Sequence, residues 1–428
     1  MLAKWSIFLA ALAACSVSDA GAADNWPDFR GPGGDGVIAE DPGLPLGWSE
    51  EKNVVWKTEV KGRAWSSPVV WGKQVWVTNA TEDGKKMSAV CLDRDSGEVV
   101  FDLPLFDNET PEPLGNKVNG YGSPSPVIEE GRVFVHFGSY GTACISTSDG
   151  KTVWQRRDLP CRHLRGPGSS PVLFGETVIL TMDGADVQYL VALDKETGKD
   201  VWKTERSTKW ADIEPDGSVK ADGDLRKAYT TPTFVEVGGK VQMISPGAKA
   251  CFGYDPATGK ELWTLTYGGY SNASRVVVED GMAYINTGFG KPHLLGVKLD
   301  AEMRGDVTGS HIEWDIFRRV PKRASPVVVD GRIYMVNDEG ILSCLSAVDG
   351  SEIWSDRLRG HFSASALAVG KRVYFFSEMG DAYVIAQGDE FELLATNHFD
   401  DGFMASPAVA GEAFFLRTKS HIYRVEGK

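Results

Sequence analysis

The sequence lacks the residue patterns that most often carry catalysis. Its six cysteines are scattered, no two are adjacent, and no Cys-x-x-Cys pair occurs. This argues against a disulfide framework, a zinc site and thioredoxin-like chemistry. Neither His-Glu-x-x-His nor Gly-x-Ser-x-Gly is present, so the usual signals of zinc proteases and serine hydrolases are missing as well.

Positive charge is in deficit. Lys and Arg number 45 against 59 Asp and Glu, which gives a net charge of −14. Because an acidic chain makes few favourable contacts with phosphates, nucleic acid is not expected as a partner.

The first residues resemble an export signal. Lys4 precedes an apolar run from Trp5 to Ala14, and small residues follow up to Ala22. The run is too short to cross a bilayer. We therefore interpret residues 1–22 as a cleaved signal peptide, which predicts an extracytoplasmic protein, periplasmic or secreted.

A lipoprotein signal is the alternative interpretation of the same segment. Leu12-Ala-Ala-Cys15 resembles a lipobox, in which case the signal would be residues 1–14. Association with a membrane, such as an outer membrane, is expected only if Cys15 is lipidated.

The remaining chain, residues 25–427, repeats one pattern. One unit, from Ser169 to Trp202, contains four short β-branched segments separated by turn residues, which predicts four antiparallel strands. The start of the first strand, a Ser or Thr followed most often by Pro, recurs eight times. The positions are Ser67-Pro68, Ser125-Pro126, Ser170-Pro171, Thr231-Pro232, Ser274-Arg275, Ser325-Pro326, Ser365-Ala366 and Ser406-Pro407.

The last unit has only three candidate strands before the chain ends. The missing fourth strand is present near the other end, between Asn53 and Val60. A ring closed by pairing the first strand with the last leaves no long open edge. The sequence therefore predicts an all-β fold, a single eight-bladed β-propeller closed by its N-terminal strand.

A turn glycine followed four residues later by an aromatic residue marks the closing strand of several units. The pairs are Gly97/Phe101, Gly150/Trp154, Gly198/Trp202, Gly259/Trp263 and Gly350/Trp354. A large ring beside a turn glycine favours packing between neighbouring sheets. The fifth unit is degraded, because Gly305 leads only distantly to Trp314, and the region of Gly388 has no tryptophan.

A glycine-rich stretch, WPDFRGPGGDG, opens the mature chain at Trp26. Gly31, Gly33 and Gly36 have the spacing of a dinucleotide-binding loop. That motif needs a preceding strand and a following helix, and neither is predicted here. We interpret the stretch as a glycine-rich turn that packs across the join of the ring.

The repeat Ala-Leu-Asp-Lys-Glu-Thr-Gly-Lys-Asp-Val-Trp at 192–202 resembles that of the quinoprotein, or PQQ-like, propellers. That superfamily includes PQQ-dependent alcohol dehydrogenases and BamB. The N-terminal W-P-x-F-R-G-P and residues 400–411 are similar to secreted bacterial PQQ-like repeat proteins of undefined function. The likeness spans about residues 25–427 and is more specific for fold than for activity.

The resemblance implies two function classes. Its quinone enzymes hold PQQ over calcium with an Asp as general base, and many use a vicinal Cys-Cys disulfide that this chain lacks. PQQ is therefore a possible cofactor by the resemblance alone, and no residue pattern of this chain predicts it. A non-catalytic binding or scaffold propeller, as in the BamB-like relatives, is favoured, and a redox or carbohydrate-active enzyme is the alternative. Cys91, Cys144 and Cys344 share one repeated position and are expected in the core.

One acidic stretch is a weak calcium candidate. Asp212, Glu214 and Asp216 alternate before Gly217, as in a calcium loop, but Gly223 stands where the twelfth-position carboxylate is expected. A solvated acidic loop is the competing interpretation.

Binding residues are expected on the face where each outer strand connects to the next inner strand. Two long insertions, residues 102–122 and 204–229, fall on this face. Its basic and aromatic residues suit an anionic or glycan-like ligand, or a protein partner, unless the arginines merely pair with acidic neighbours. The candidates are Arg63, Trp65, Asn119, Tyr121, Arg162, His163, Arg165, Tyr229, Tyr270, Asn272, Arg275, Lys322, Arg323, His361 and Phe403.

Overall fold

The computed structural model describes residues 24–115 and 118–427. The two export signals and Cys15 lie outside these residues and stay predictions. Within them, no helix is both long enough and apolar enough to cross a membrane.

Short strands joined by turns and loops run along the whole described chain. In the first half these are β1 (Val37–Ile38), β2 (Val54–Glu59), β3 (Val69–Trp71), β4 (Gln74–Ala80), β5 (Lys86–Asp93), β6 (Val99–Asp107), β7 (Val127–Glu129), β8 (Arg132–His136), β9 (Thr142–Ser146), β10 (Thr152–Arg156), β11 (Val172–Phe174), β12 (Thr177–Asp183), β13 (Gln188–Asp194), β14 (Asp200–Glu205), β15 (Thr233–Val237), β16 (Lys240–Pro246), β17 (Ala250–Tyr254) and β18 (Glu261–Thr266). A pair of short 3₁₀ turns spans Lys220–Arg226.

The second half continues the same alternation of strand and tight turn. Its strands are β19 (Val277–Glu279), β20 (Met282–Asn286), β21 (Leu294–Lys298), β22 (Gly305–Asp306), β23 (Ile312–Ile316), β24 (Val327–Val329), β25 (Arg332–Val336), β26 (Ile341–Ser346), β27 (Glu352–Arg357), β28 (Leu367–Val369), β29 (Arg372–Phe376), β30 (Asp381–Ala386), β31 (Leu393–His398), β32 (Ala408–Ala410), β33 (Ala413–Arg417) and β34 (His421–Glu426).

The described strands form eight sheets, each built on four antiparallel strands, and in all but the last sheet these four follow sequence order from the axis outward. Two sheets carry a fifth strand in parallel, β1 or β22. Blade 1 is β3–β6, and the following blades repeat that order around the ring. The inner strands of adjacent blades contact one another, as β3 does with β7 and with β32. The predicted eight-bladed propeller is confirmed.

The N-terminal strand closes the ring. β2 pairs antiparallel with β34, with Val54 opposite Val425 and Glu59 opposite His421. Blade 8 therefore takes three strands from the C-terminus and its outermost strand from the N-terminus. This confirms the predicted closure.

Tryptophans of the outer strands pack against the turn glycine of the next blade. Trp154 lies over Gly198, whose φ is +68°, and a Cβ built on that glycine would stand 2.6 Å from the indole. The Trp154 Nε1 donates to the carbonyl of Lys195 in the same turn, at 2.8 Å. Trp56 and Gly97 repeat this packing at the closure. The predicted inter-blade role of the aromatics is thus correct.

Blade 5 departs from the pattern for a visible reason. Gly305 is not a turn glycine, because it belongs to β22, which leaves blade 5 and pairs in parallel with β18 of blade 4. Trp314 is nonetheless a regular packing residue and lies over Gly350 of blade 6. The extra residues that form β22 separate Gly305 from the usual turn position, while Trp314 keeps its usual packing position.

The core lies between the blades. Cys91, Cys144 and Cys344 are fully buried, as expected for a repeated small position. The described cysteines are all free thiols.

Candidate ligand-binding site

A cavity of about 530 Å³ opens at one end of the propeller axis. All eight connections from an outer strand to the next inner strand contribute to its lining. Trp65 precedes blade 1, Arg165 precedes blade 3, and Arg323 precedes blade 6. We call this space the axial cavity. It is lined by Phe29, Trp65, Ser67, Gly115, Val118, Asn119, Ser123, Ser125, Arg165, Gly168, Ser170, Asp224, Lys227, Tyr229, Thr231, Tyr270, Ser271, Ala273, Phe289, Arg323, Ser363, Ser365, Met404 and Ser406.

The two long insertions form part of its wall. Val118 and Asn119 come from the first insertion, and Asp224 and Tyr229 come from the second. Both connections lie at the same end of the ring, and loops held by a rigid scaffold often carry the residues that bind ligands.

A ring of hydroxyl groups lies where the inner strands begin. The amide of Ser67 donates to Ser125 Oγ at 2.8 Å, and the amide of Ser125 donates to Ser170 Oγ at 2.9 Å. The same bond continues from blade to blade and returns through the amide of Ser406 to Ser67 Oγ at 3.0 Å. We call these residues the hydroxyl ring. Its members are Ser67, Ser125, Ser170, Thr231, Ser325, Ser365 and Ser406.

The eighth place in this ring belongs to Arg275. Its amide donates to Ser325 Oγ at 2.9 Å, as a ring serine would. The repeat pattern in the sequence predicts Ser274 at this place, which is wrong by one residue. The hairpin pairing of Glu279 with Met282 sets the register, and a run of three valines gave the sequence no way to detect the shift.

Arg275 does not reach the axial cavity, although it was expected at the mouth. Its guanidinium is buried and donates to Asp28 Oδ2 at 3.0 Å and to the carbonyl of Phe29. It therefore anchors the N-terminal stretch, on the side of the ring away from the cavity mouth.

That N-terminal stretch crosses the axis. Trp26 exchanges backbone hydrogen bonds with Val70 of blade 1, while Arg30 donates to the carbonyl of Pro326 in blade 6 at 2.7 Å. β1 then pairs in parallel with β28 of blade 7. We call residues 26–38 the crossing segment. It spans far more than the join of the ring, where the sequence placed it.

The crossing segment supplies the floor of the axial cavity through Phe29. Its glycines serve close packing: Gly31 lies against the Trp26 indole, and Gly34 lies against the Arg275 guanidinium, where a Cβ would stand 2.4 Å away. This explains the glycine-rich spacing without a dinucleotide.

One side of the axial cavity is cationic. The ammonium group of Lys227 is buried and donates to the carbonyl of Asp224 at 2.9 Å and to Ser271 Oγ at 3.0 Å. Burial lowers the pKa of Lys227. Arg165 Nε lies 3.5 Å from Asp224 Oδ1, and among the described residues that is its only carboxylate contact.

Further round the ring, the connection before blade 6 carries Arg323. Its Nε donates to Asp338 Oδ1 at 2.5 Å and its Nη1 to Glu378 Oε1 at 3.2 Å. Glu378 also accepts from Ser363 Oγ at 2.6 Å. Arg323 is thus positioned by carboxylates behind it while its side chain faces the axial cavity.

Two aromatic residues of the lining have polar atoms without partners. The Tyr229 hydroxyl and the Trp65 Nε1 are both buried and make no hydrogen bond with the described residues. Burial raises the pKa of Tyr229 well above its usual value, so its hydroxyl stays a donor. Arg63 stacks over Trp65 at 5.9 Å from the ring centroid.

Of the fifteen candidate residues in the sequence, the structure brings six into the axial cavity: Trp65, Asn119, Arg165, Tyr229, Tyr270 and Arg323. The lining does not include Phe403 or eight polar candidates: Arg63, Tyr121, Arg162, His163, Asn272, Arg275, Lys322 and His361.

These eight are held by protein contacts. Arg162 pairs with Glu112 at 3.3 Å and with Asp222, and Tyr121 donates to the carbonyl of Glu112 at 2.8 Å. The amide of Asn272 donates to the Tyr267 hydroxyl at 2.7 Å. Arg63 Nη2 donates to the carbonyl of Asn119.

Two more of these residues lie beside Arg323 but outside the lining. Lys322 lies 3.6 Å from Glu339, and His361 Nδ1 is 3.2 Å from the carbonyl of Asp338. Of the five arginines among the candidates, which were expected together on this face, only Arg165 and Arg323 line the cavity.

His163 belongs to a buried polar cluster behind the loops. Its Nε2 accepts from the amide of Ser139 at 3.1 Å, and its Nδ1 is 3.7 Å from Cys161 Sγ. Burial lowers the pKa of His163 to about 4 and that of nearby His136 to about 3. Burial also raises the Cys161 pKa, so this Cys-His pair is neutral and unsuited to nucleophilic attack.

The acidic stretch does not form a calcium loop. Asp212 pairs with Arg226 at 2.5 Å, and Asp216 accepts from the amide and hydroxyl of Ser218. The Glu214 amide closes the turn onto the Ser218 carbonyl. The structure does not bring the three carboxylates together.

Sequence reasoning missed the hydroxyl ring, Lys227 and Phe29. A Ser or Thr recurs at the ring position in the sequence, but that pattern predicts only the start of a strand. Lys227 and Phe29 had no such signal, because neither lies in a repeated position.

The lining does not fit the calcium-and-quinone arrangement that the resemblance implies. Among the described residues of the lining, the one carboxylate is Asp224, and it is engaged by Lys227 and Arg165. Among residues 24–115 and 118–427, no group of three His, Cys, Asp or Glu side chains could hold a metal ion.

The fold and the site together define an eight-bladed propeller with an axial cavity of ligand size. The sequence profile of the family described as outer membrane protein assembly factor BamB matches residues 53–214, 188–314 and 252–402. The chain therefore belongs to this family.

Individual relatives are distant. Outer membrane protein assembly factor BamB of Yersinia pestis is 23% identical over 335 residues, covering 74% of this chain and 78% of the relative. BamB from Moraxella catarrhalis superposes with a TM-score of 0.60 at 12% identity, over 88% of this chain and 97% of that one. Quinohemoprotein alcohol dehydrogenase from Comamonas testosteroni superposes with a TM-score of 0.68 at 14% identity, over 96% of this chain and 82% of that one. At these identities the superpositions show the fold alone.

Proposed function

We propose that this protein is an extracytoplasmic, non-catalytic binding propeller whose axial face recognises an anionic ligand or partner. The observation that carries the proposal is the axial cavity itself. It gathers Arg165, Lys227 and Arg323 in a chain whose net charge is −14. Among the described residues of the lining the one carboxylate is Asp224, while Asp338 and Glu378 contact Arg323 from outside the lining. Concentrating cations in one concave site favours an acidic ligand.

The test is binding of the mature protein to an array of acidic glycans and acidic peptides. Arg165→Ala and Arg323→Ala should weaken binding about tenfold or more each, as expected for lost charge-assisted hydrogen bonds. Lys322→Ala is the matched control, since it removes a neighbouring positive charge outside the lining. Binding should also weaken steeply as salt rises. Equal binding by all three variants would overturn the proposal.

Family membership extends the proposal to a role in assembling outer membrane proteins, which is the role named for the relatives. In a host with an outer membrane, deleting the gene should lower the amount of assembled outer membrane protein. Complementation by the Lys322→Ala variant, and not by Arg165→Ala, would connect that role to the axial face.

The proposed location has its own test. If the signal is cleaved after Ala22, Cys15→Ser should leave export and solubility unchanged. Loss of membrane association and of a lipid mass in that variant would show that the protein is a lipoprotein.

A redox function is the second candidate, kept from the resemblance to quinone-dependent propellers, although the lining does not fit calcium and quinone. Titrating the protein with PQQ and calcium tests it. A stoichiometric shift of the quinone absorbance, lost in Arg165→Ala, would favour this candidate over the binding propeller.

A further inference from the structure

The hydroxyl ring has unused donors. In each ring link the serine or threonine oxygen accepts an amide hydrogen from the neighbouring blade, at 2.8–3.1 Å. Among the described residues, none of these hydroxyls donates a hydrogen bond in return. A hydroxyl has one proton to donate, and buried polar groups seldom leave a donor without a partner.

Six of the seven ring hydroxyls line the axial cavity, and Ser325 is the exception. The unpartnered Tyr229 hydroxyl and Trp65 Nε1 lie in the same lining. Side-chain donors thus outnumber side-chain acceptors here, since Asp224 already accepts from Lys227. A cavity rich in donors is complementary to a group that only accepts, such as a carboxylate or a sulfate.

The walls above the ring are aromatic. Trp65, Tyr270 and Phe289 line the cavity, and Phe29 forms its floor. Aromatic faces pack well against the C–H faces of a sugar ring, and about 530 Å³ lies within the usual range for small-molecule sites.

We propose that the six ring hydroxyls that line the axial cavity hold the carboxylate or sulfate group of an acidic saccharide, which enters the cavity with its sugar ring against the aromatic walls. This rests on the proposed function and names its ligand class. Arg165 and Arg323 then neutralise the anion from two different connections, while Phe29 limits how deep it descends.

The experiment is calorimetric titration of the mature protein with glucuronate, glucose 6-sulfate, inorganic sulfate and glucose. At least one of the two acidic sugars should bind at millimolar concentration, and glucose should bind about tenfold more weakly because it lacks the anion. The acid that binds more tightly identifies the oxyanion. Binding of glucose as tight as that of the acids, or of inorganic sulfate alone, would overturn the inference, and so would failure of all four probes.

Ring variants supply the second measurement. Ser170→Ala removes a ring hydroxyl that lines the cavity, whereas Ser325→Ala removes one that does not. Each also deprives one backbone amide of its acceptor, so the two should lower the melting temperature similarly. Only Ser170→Ala should weaken the acidic sugar, by about tenfold. Ser170→Thr should restore binding, since Thr231 shows that the ring accepts threonine.

The outcomes separate this inference from the proposed function. If acidic peptides bind, respond to Arg165→Ala and ignore Ser170→Ala, the axial face is a binding site but the saccharide inference is wrong. Equal loss of affinity in Ser170→Ala and Ser325→Ala would show that the ring acts only on stability.

Discussion

Removal of residues 24–60 should abolish cooperative folding, because this stretch both completes blade 8 and covers the axis. It contributes Trp26, Trp48 and Trp56, which are 2%, 4% and 7% exposed. Each tryptophan buries about 150–250 Å², or about 4–6 kcal/mol at 25 cal/mol per Å². Deletion also leaves β34 as an unpaired edge.

The sum exceeds what a domain can lose. Three such side chains amount to an upper figure of about 12–18 kcal/mol, against a usual total stability of about 5–15 kcal/mol. Differential scanning calorimetry of residues 61–427 beside residues 24–427 measures the effect. The truncated chain should show no sharp transition, and a transition as high and as narrow as that of the longer chain would refute the closure argument.

Point variants give the same measurement at smaller scale. Trp56→Ala should cost about 3–5 kcal/mol. Val55→Ala, one residue away and 51% exposed, should change stability by less than about 0.5 kcal/mol. Similar costs for the two would contradict the packing of Trp56 against blade 1.

Two further predictions concern packing and pH. Gly198→Ala should destabilise the protein by about 1–3 kcal/mol more than Gly175→Ala, because both glycines have positive φ but only Gly198 faces a tryptophan; urea unfolding compares them, and equal costs would leave only backbone strain. Stability should fall as pH drops from about 6.5 towards 4, since the pKa values of His163 and His136 are depressed and the unfolded chain binds more protons in that window. The slope should approach about 1.4 kcal/mol per pH unit for each histidine, and it should shrink in His163→Gln but not in His398→Gln, whose side chain is 55% exposed. An unchanged slope in His163→Gln would show that the acid sensitivity arises elsewhere.

The repeats made the fold predictable, and local chemistry limited the site. Spacing alone identified eight blades and the closing strand, because equivalent positions recur whatever the surrounding loops do. It could not say which loop residues face the axis. Arg162 and Arg165 are three residues apart, yet Arg162 pairs with Asp222 outside the lining while Arg165 faces the cavity. Asp222 and Asp224, which pair with Arg162 and Arg165, come from the later insertion, 204–229, and Glu112, which also pairs with Arg162, comes from the earlier one. No periodicity places either insertion.

Arg275 shows why register matters for both the fold and the site. A serine at its place would have extended the hydroxyl ring to all eight blades, but would have left Asp28 without its cation. Because Asp28 directly precedes Phe29, the residue that breaks the ring also anchors the cavity floor. The contacts that anchor the crossing segment therefore also hold part of the cavity lining in place. Whatever displaces Phe29 must also break the buried contact between Asp28 and Arg275, and losing one partner of a buried ion pair costs about 3–5 kcal/mol.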